Sequence, residues 1–157
     1  MVKPRLYFDT SVFGGVYDDE FFEASNMLFE EVRLGKIVCV YSDLSKAELK
    51  NAPEKVRTFF QNLPEENMEF VQVTDEAFKL AQNYLDENVV GKTSADDCRH
   101  IATATLCKVD YLVSWNFKHI VNVYRIKGYN SVNMKNGYIQ LEIRSPKDIV
   151  YGNNEEE

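Results

Sequence analysis

Short runs of β-branched and aromatic residues alternate along this chain with longer segments whose apolar residues recur at helical spacing, and few folds accept that alternation. Arg5–Phe8, Lys36–Tyr41, Met68–Val73, Asp110–Ser114 and Tyr138–Ile143 are too short for buried helices and read as strands. Between them, Phe21, Phe22, Ser25, Leu28, Phe29 and Val32 predict a helix that begins near Asp18-Asp19-Glu20 and ends at Gly35. Ser42 or Asp43 caps a second helix through Asn51, and Pro53 opens a third with Val56, Phe59 and Phe60 as its stripe. Thr74-Asp75-Glu76 opens a helix carrying Ala77, Leu80, Ala81, Tyr84 and Leu85, which Gly91 stops. Further helices are expected from Ser94, over Lys118–Lys127 with Ile120, Val121, Tyr124 and Ile126 inside, and over Tyr129–Asn136. Strands that alternate with helices need crossovers on both faces of the sheet. The expected architecture is a three-layer α/β/α fold with a mainly parallel five-stranded sheet.

At 157 residues the chain is long enough for one self-supporting core, and no linker or repeat divides it. The reading is a single domain over 1–150 and an acidic, disordered tail over 151–157. No apolar run approaches the ~18 residues of a membrane span, and no charged start leads into one. The cysteines, Cys39, Cys98 and Cys107, are odd in number and lie in apolar surroundings, as small buried hydrophobes do in a reducing compartment. A cytoplasmic protein is expected. The net charge of −7 argues against a polyanionic partner, but its distribution argues less strongly. No Asp or Glu falls between Tyr111 and Leu141, where Lys118, His119, Arg125, Lys127 and Lys135 make a basic half.

The first strand ends abruptly in Asp9-Thr10-Ser11. Ligands of open parallel sheets bind beyond the carboxyl ends of the strands, so Asp9 stands where chemistry is expected, although all three side chains are also good turn caps. On the Asp43–Asn51 helix Glu48 shares a face with Leu44 and Ala47, which turns a carboxylate toward the protein. Ser94 and Asp97 have the form of a capping box, and Asp96 suits the first turn of a helix. Ile101 and Ala104 follow Asp97 at i+4 and i+7, which puts Asp97 at the mouth of the buried stripe. His100, one turn on, is expected to be a hydrogen-bonded core residue in support. Ser114 and Asn116 put polar groups past the fourth strand.

Carboxylates that converge on one crevice cannot all stay ionised without a cation. With oxygen ligands and no Cys or His cluster the fitting ion is Mg²⁺ or Mn²⁺, and the chemistry that suits it is phosphodiester hydrolysis. A haloacid-dehalogenase-type phosphotransferase would need an Asp where Ser11 stands, and a receiver domain would need paired acids after the first strand. Neither a Gly-rich phosphate loop nor a Ser–His–Asp or Cys–His signature is present.

Phe8-Asp9-Thr10-Ser11, Ser45-Lys46-Ala47-Glu48, Asp97-Cys98-Arg99-His100-Ile101-Ala102-Thr103-Ala104, Leu112-Val113-Ser114-Trp115-Asn116 and, near the end, Asn136-Gly137-Tyr138 with Ile143-Arg144-Ser145-Pro146 together resemble a PIN domain over nearly the whole chain. The resemblance implies a metal-dependent ribonuclease, often the toxin of a toxin–antitoxin pair, with a parallel five-stranded sheet. Asp9, Glu48 and Asp97 fall on the family's acidic positions and would hold the ion. Asn116 stands where the family commonly has a further Asp, which implies one tightly held ion. Thr10, Ser11, Asp96, His100 and Ser114 would support the ligands, and Lys118, His119, Arg125 and Lys127 would carry the RNA backbone. The resemblance also implies a small antitoxin partner and a homodimer. The alternative is a PIN-like module, weakened in catalysis by Asn116, that binds RNA or protein.

Overall fold

Alternate side chains of β1 (Arg5–Phe8) enter two different cores, because a strand presents successive residues to opposite faces of its sheet. In the computed structural model, which describes residues 3–152, Leu6 and Phe8 pack with α1 (Thr10–Gly15), α2 (Phe22–Arg33), α4 (Glu54–Gln61) and α8 (Pro146–Gly152). Tyr7 points the other way, into a core shared with α5 (Asp75–Asp86), α6 (Ala95–Leu106) and α7 (Val123–Lys135). β2 (Val38–Ser42), β3 (Met68–Val71), β4 (Tyr111–Val113) and β5 (Ile143–Arg144) complete one sheet of order β3-β2-β1-β4-β5. All four pairings are parallel. This is the three-layer fold that the alternation of strands and helices demands.

Several boundaries differ from the sequence reading, each for a local reason. The expected helices over 118–127 and 129–136 are one, α7, which starts where the Asn122 side chain accepts from the Tyr124 and Arg125 N–H groups. That start turns Tyr124 outward, 85% exposed instead of buried. The helix runs through Gly128, where a Cβ would meet Val89 at 2.8 Å. The strand expected over 138–143 is reduced to β5, because Asn130 on α7 ties down both the N–H and the C=O of Leu141. α5 ends at Asp86, short of Gly91, since Asn88 adopts the left-handed conformation (φ 58°). Phe22 is 51% exposed, and on α3 (Asp43–Lys50) the inward residues are Ser45 and Leu49 while Ala47 faces out. A 3-10 turn over Lys92–Ser94 leads into α6 and Ser94 makes no side-chain cap bond, so the expected capping box is absent. Tyr151 and Gly152 belong to α8 rather than to a tail; the rest of the expected tail, 153–157, lies outside the described residues. Cys39, Cys98 and Cys107 are free thiols, the first two buried and the third partly so. No described helix is long and apolar enough to cross a membrane.

The turn after β4 is held to α1 and α2 by one close approach. Trp115 Nε1 donates to Ser25 Oγ at 2.8 Å, and its ring stacks on Phe21 at 4.2 Å. A Cβ on Gly15 would stand 2.5 Å from Ser25 Oγ and 2.7 Å from Trp115 Nε1, so only glycine leaves room for that bond. Gly14, its neighbour, has open space. Gly15→Ala is therefore expected to destabilise by about 1–3 kcal/mol, a drop of about 2–4 °C in Tm per kcal/mol, whereas Gly14→Ala stays within about 0.5 kcal/mol of wild type. Thermal melts of both variants check this; equal melting temperatures would refute the packing argument.

Candidate active site

The chain runs from β1 to β2 and β3 on one side and returns through β4 to β5 on the other, so the strand order switches between β1 and β4. A crevice opens at such a point beyond the strands' carboxyl ends. Asp9 stands there, 7% exposed, with its N–H still bonded to the Val113 carbonyl at 3.0 Å. It occupies the N-cap position of α1, yet its side chain caps nothing. Instead its Oδ2 accepts from Ser11 Oγ at 2.7 Å and from Ser114 Oγ at 2.8 Å. Each hydroxyl in turn accepts a backbone N–H, Trp115 to Ser11 at 3.0 Å and Asn116 to Ser114 at 2.9 Å. A hydroxyl has one proton to give, and here both protons go to Asp9. The carboxylate is thereby fixed to β1 and to the turn after β4 at once.

Glu48 reaches the same edge from α3. That helix begins in a reciprocal capping box between Ser42 and Ser45, which sets the register that turns Glu48 inward. Its Oε1 accepts from Thr10 Oγ1 at 2.6 Å and lies 2.6 Å from His100 Nε2. His100, 1% exposed on α6, has its Nδ1 2.6 Å from the Tyr7 hydroxyl, which lies 2.8 Å from Ser42 Oγ. Burial acts to lower the His100 pKa, but the hydrogen bond to Glu48 and the charges of Asp9 and Glu48 outweigh it, and the net shift is upward. Burial acts to raise Glu48, and the His100 bond and charge with the Thr10 bond bring it below the ordinary value. Both shifts run in the direction that favours an ion pair.

Asp97, half-buried in the first turn of α6, completes the set. Burial and the neighbouring Asp9 carboxylate push it up to about 6, with Glu48 and Asp96 adding and His100 opposing. Its Oδ2 receives Asn116 Nδ2 at 3.4 Å, while Asn116 Oδ1 accepts the Lys118 and His119 N–H groups at 3.1 and 2.9 Å. Asn116 is thereby committed to shaping its own turn. Asp96, expected in support, is exposed and pairs with Arg99 at 2.8 Å. Its place in the helix turns it to solvent.

The basic residues divide. Lys118 is exposed at the turn after β4, and His119 is held below its ordinary value by burial and by the charges of Lys118 and Arg125. Arg125 donates to the Val89 carbonyl at 2.5 Å, and Lys127 lines a groove of about 560 Å³ between α7 and the approach to β5. Lys135 is paired with Glu87 at 3.0 Å. The sequence reading passed over Lys46, Lys50 and Arg57, which share a hollow of about 250 Å³ with Leu49 and Phe60 beside α3 and α4. It also passed over Tyr7 and Ser45, where a tyrosine in a fully buried strand position was the available signal.

A buried carboxyl held above its ordinary value costs stability when ionised. In the unfolded chain Asp97 titrates near 3.8 and in the folded protein near 6, so the penalty is absent below pH 4, grows between the two and is complete above pH 6. Asp97→Asn is expected to raise Tm at pH 7.5 in EDTA by about 2–4 °C, or about 1 kcal/mol once its partial exposure is discounted, and to have no such effect at pH 3.5. Melting curves across that range check the sign; a variant less stable than wild type at pH 7.5 would contradict it.

No family model matches the sequence, and no curated protein matches it either. A solved structure does: a chain of VapBC2 from Rickettsia felis, in a crystal structure bound to a DNA fragment from their promoter, is similar over 90% of this chain and 98% of its own length, with a TM-score of 0.50 and 11% sequence identity. At that identity the likeness is one of fold, and this chain shares the three-layer architecture around a mainly parallel five-stranded sheet.

Proposed function

We propose that this protein is a Mg²⁺- or Mn²⁺-dependent endoribonuclease, the toxin of a toxin–antitoxin pair. The observation that carries the reading is the meeting of Asp9, Glu48 and Asp97 at the β1/β4 switch point, with Asp97 raised to about 6 by burial and by its acidic neighbours. Like charges held together by other side chains are a stored cost that a divalent cation relieves. The donor chemistry fits a hard ion. Asp9 Oδ1, Glu48 Oε2 and Asp97 Oδ1 have no hydrogen-bond partner among the described residues, and no thiolate competes. Among the described residues no three acidic, His or Cys side chains already form a metal-binding group, so binding requires the carboxylates to close up.

Asp9 and Asp97 would hold the ion, and Glu48 would hold it or orient water. A bound Mg²⁺ or Mn²⁺ supplies Lewis-acid stabilisation of charge on the phosphodiester and makes water a better nucleophile. Ser11 and Ser114 hold one oxygen of Asp9, and Thr10 and His100 hold one oxygen of Glu48, which leaves the other oxygen of each without a partner among the described residues. Lys118, exposed beside the site, and Lys46, Lys50 and Arg57, which have no carboxylate partner among the described residues, would offer RNA phosphates cationic contacts in a chain of net charge −7. The similarity to a VapBC2 chain supports a small antitoxin protein as partner, and the PIN resemblance supports a homodimer.

The second reading, a binding module of the same fold, is favoured by Asn116 in place of an acid and by the want of a preformed ligand group among the described residues. Cleavage of labelled single-stranded RNA separates the two. Wild type with Mn²⁺ is expected to cut, Asp9→Asn to be slower by about a hundredfold or more, and Asn116→Asp to equal or exceed wild type. Cutting that persists in excess EDTA or in Asp9→Asn would overturn the mechanism, and no cutting by folded, metal-supplied protein would leave the binding module.

A further inference from the structure

The ring of Phe117 is half exposed in the turn that carries Asn116. Its position is fixed. Phe117 follows Asn116 in the turn whose N–H groups are held by Ser11 and Ser114, the same hydroxyls that clamp Asp9. Asn116 Oδ1 closes the turn on the far side through the Lys118 and His119 N–H groups. Behind the ring stand Trp115, edge-on at 6.1 Å, and Phe21, tilted at 6.4 Å, themselves stacked on one another. The exposed face of Phe117 is therefore backed by a packed aromatic cluster and neighboured in sequence by the exposed ammonium of Lys118.

We propose that Phe117 is a stacking platform for an unpaired nucleobase next to the bond to be cut, with Lys118 on the adjoining phosphate; the proposal rests on the ribonuclease reading and names its substrate as single-stranded RNA. An aromatic face one residue from Asn116, whose Nδ2 lies 3.4 Å from Asp97 Oδ2, can position a strand without reading its sequence, since every base has a π-face. Unpaired bases offer that face and a stacked duplex does not. A protein side chain could also cover the ring, but the exposed ammonium of Lys118 beside it favours a strand that carries phosphate next to each base.

The test is fluorescence anisotropy of a labelled oligouridylate, and of the same backbone without bases, titrated with full-length protein in EDTA so that no cutting occurs. Wild type is expected to bind the base-bearing strand more tightly than the abasic one. Phe117→Ala is expected to lose about tenfold for the base-bearing strand and nothing for the abasic one, and Phe117→Tyr to stay within about twofold of wild type. Lys118→Ala is expected to weaken both strands alike. Equal affinity of wild type and Phe117→Ala for the base-bearing strand would overturn the platform, as would an equal loss for both strands, which would mark a structural or protein-facing ring. Cleavage is measured separately with Mn²⁺ on the wild type. Base-dependent binding without cutting would fail the nuclease reading and leave the platform; cutting with no base-dependent binding would do the reverse.

Discussion

A strand paired on both sides and covered on both faces can place a charge only at its end. β1 is such a strand, bonded to β2 and β4 and walled in by a core on either side. Leu6, Tyr7 and Phe8 are essentially inaccessible. The carboxylate that follows them is therefore both buried and at the one point where the sheet changes direction. Every other group of the candidate site is arranged with reference to it.

The site then has to satisfy what that burial leaves unpaired, since a desolvated carboxylate without partners would cost several kcal/mol. Two hydroxyls answer for Asp9, and a hydroxyl and an imidazole answer for Glu48. The partners come from β1's own continuation, from the turn after β4 and from α6, so the same bonds that satisfy the charges also join the layers. Asp97 is the member left without such support. Its charge is paid for least, and it is the one that burial and Asp9 hold farthest from its ordinary ionisation.

Ser42, Ser45, Tyr7 and His100 extend this arrangement inward as a line of buried polar atoms. A chain of hydrogen bonds in low dielectric is stable when each member is satisfied and expensive when one is lost. Here the line begins at the cap of α3 and ends at Glu48 on that same helix. The helix start and the orientation of its inward carboxylate are thus set by one network, which explains why Glu48 and not its exposed neighbour Ala47 turns to the crevice.

By itself the sequence determined the architecture and the identity of the acids. Short continuous apolar runs such as Leu6-Tyr7-Phe8 and helical stripes such as Ala77, Leu80, Ala81 and Tyr84 point to one layered solution, because strand and helix periods are set by the backbone and need no distant partner. Polar residues just past a strand could likewise be read as edge groups from local order alone. Only the tertiary structure decided which side chains meet. Thr10 and Glu48 are far apart in the chain, as are Tyr7 and His100, and no local spacing encodes a contact between α1 and α3 or between β1 and α6. It also decided where α7 begins, where β5 begins and which way Tyr124 faces, because side chains such as Asn122 and Asn130 compete there with propensity and win through bonds that periodicity does not show.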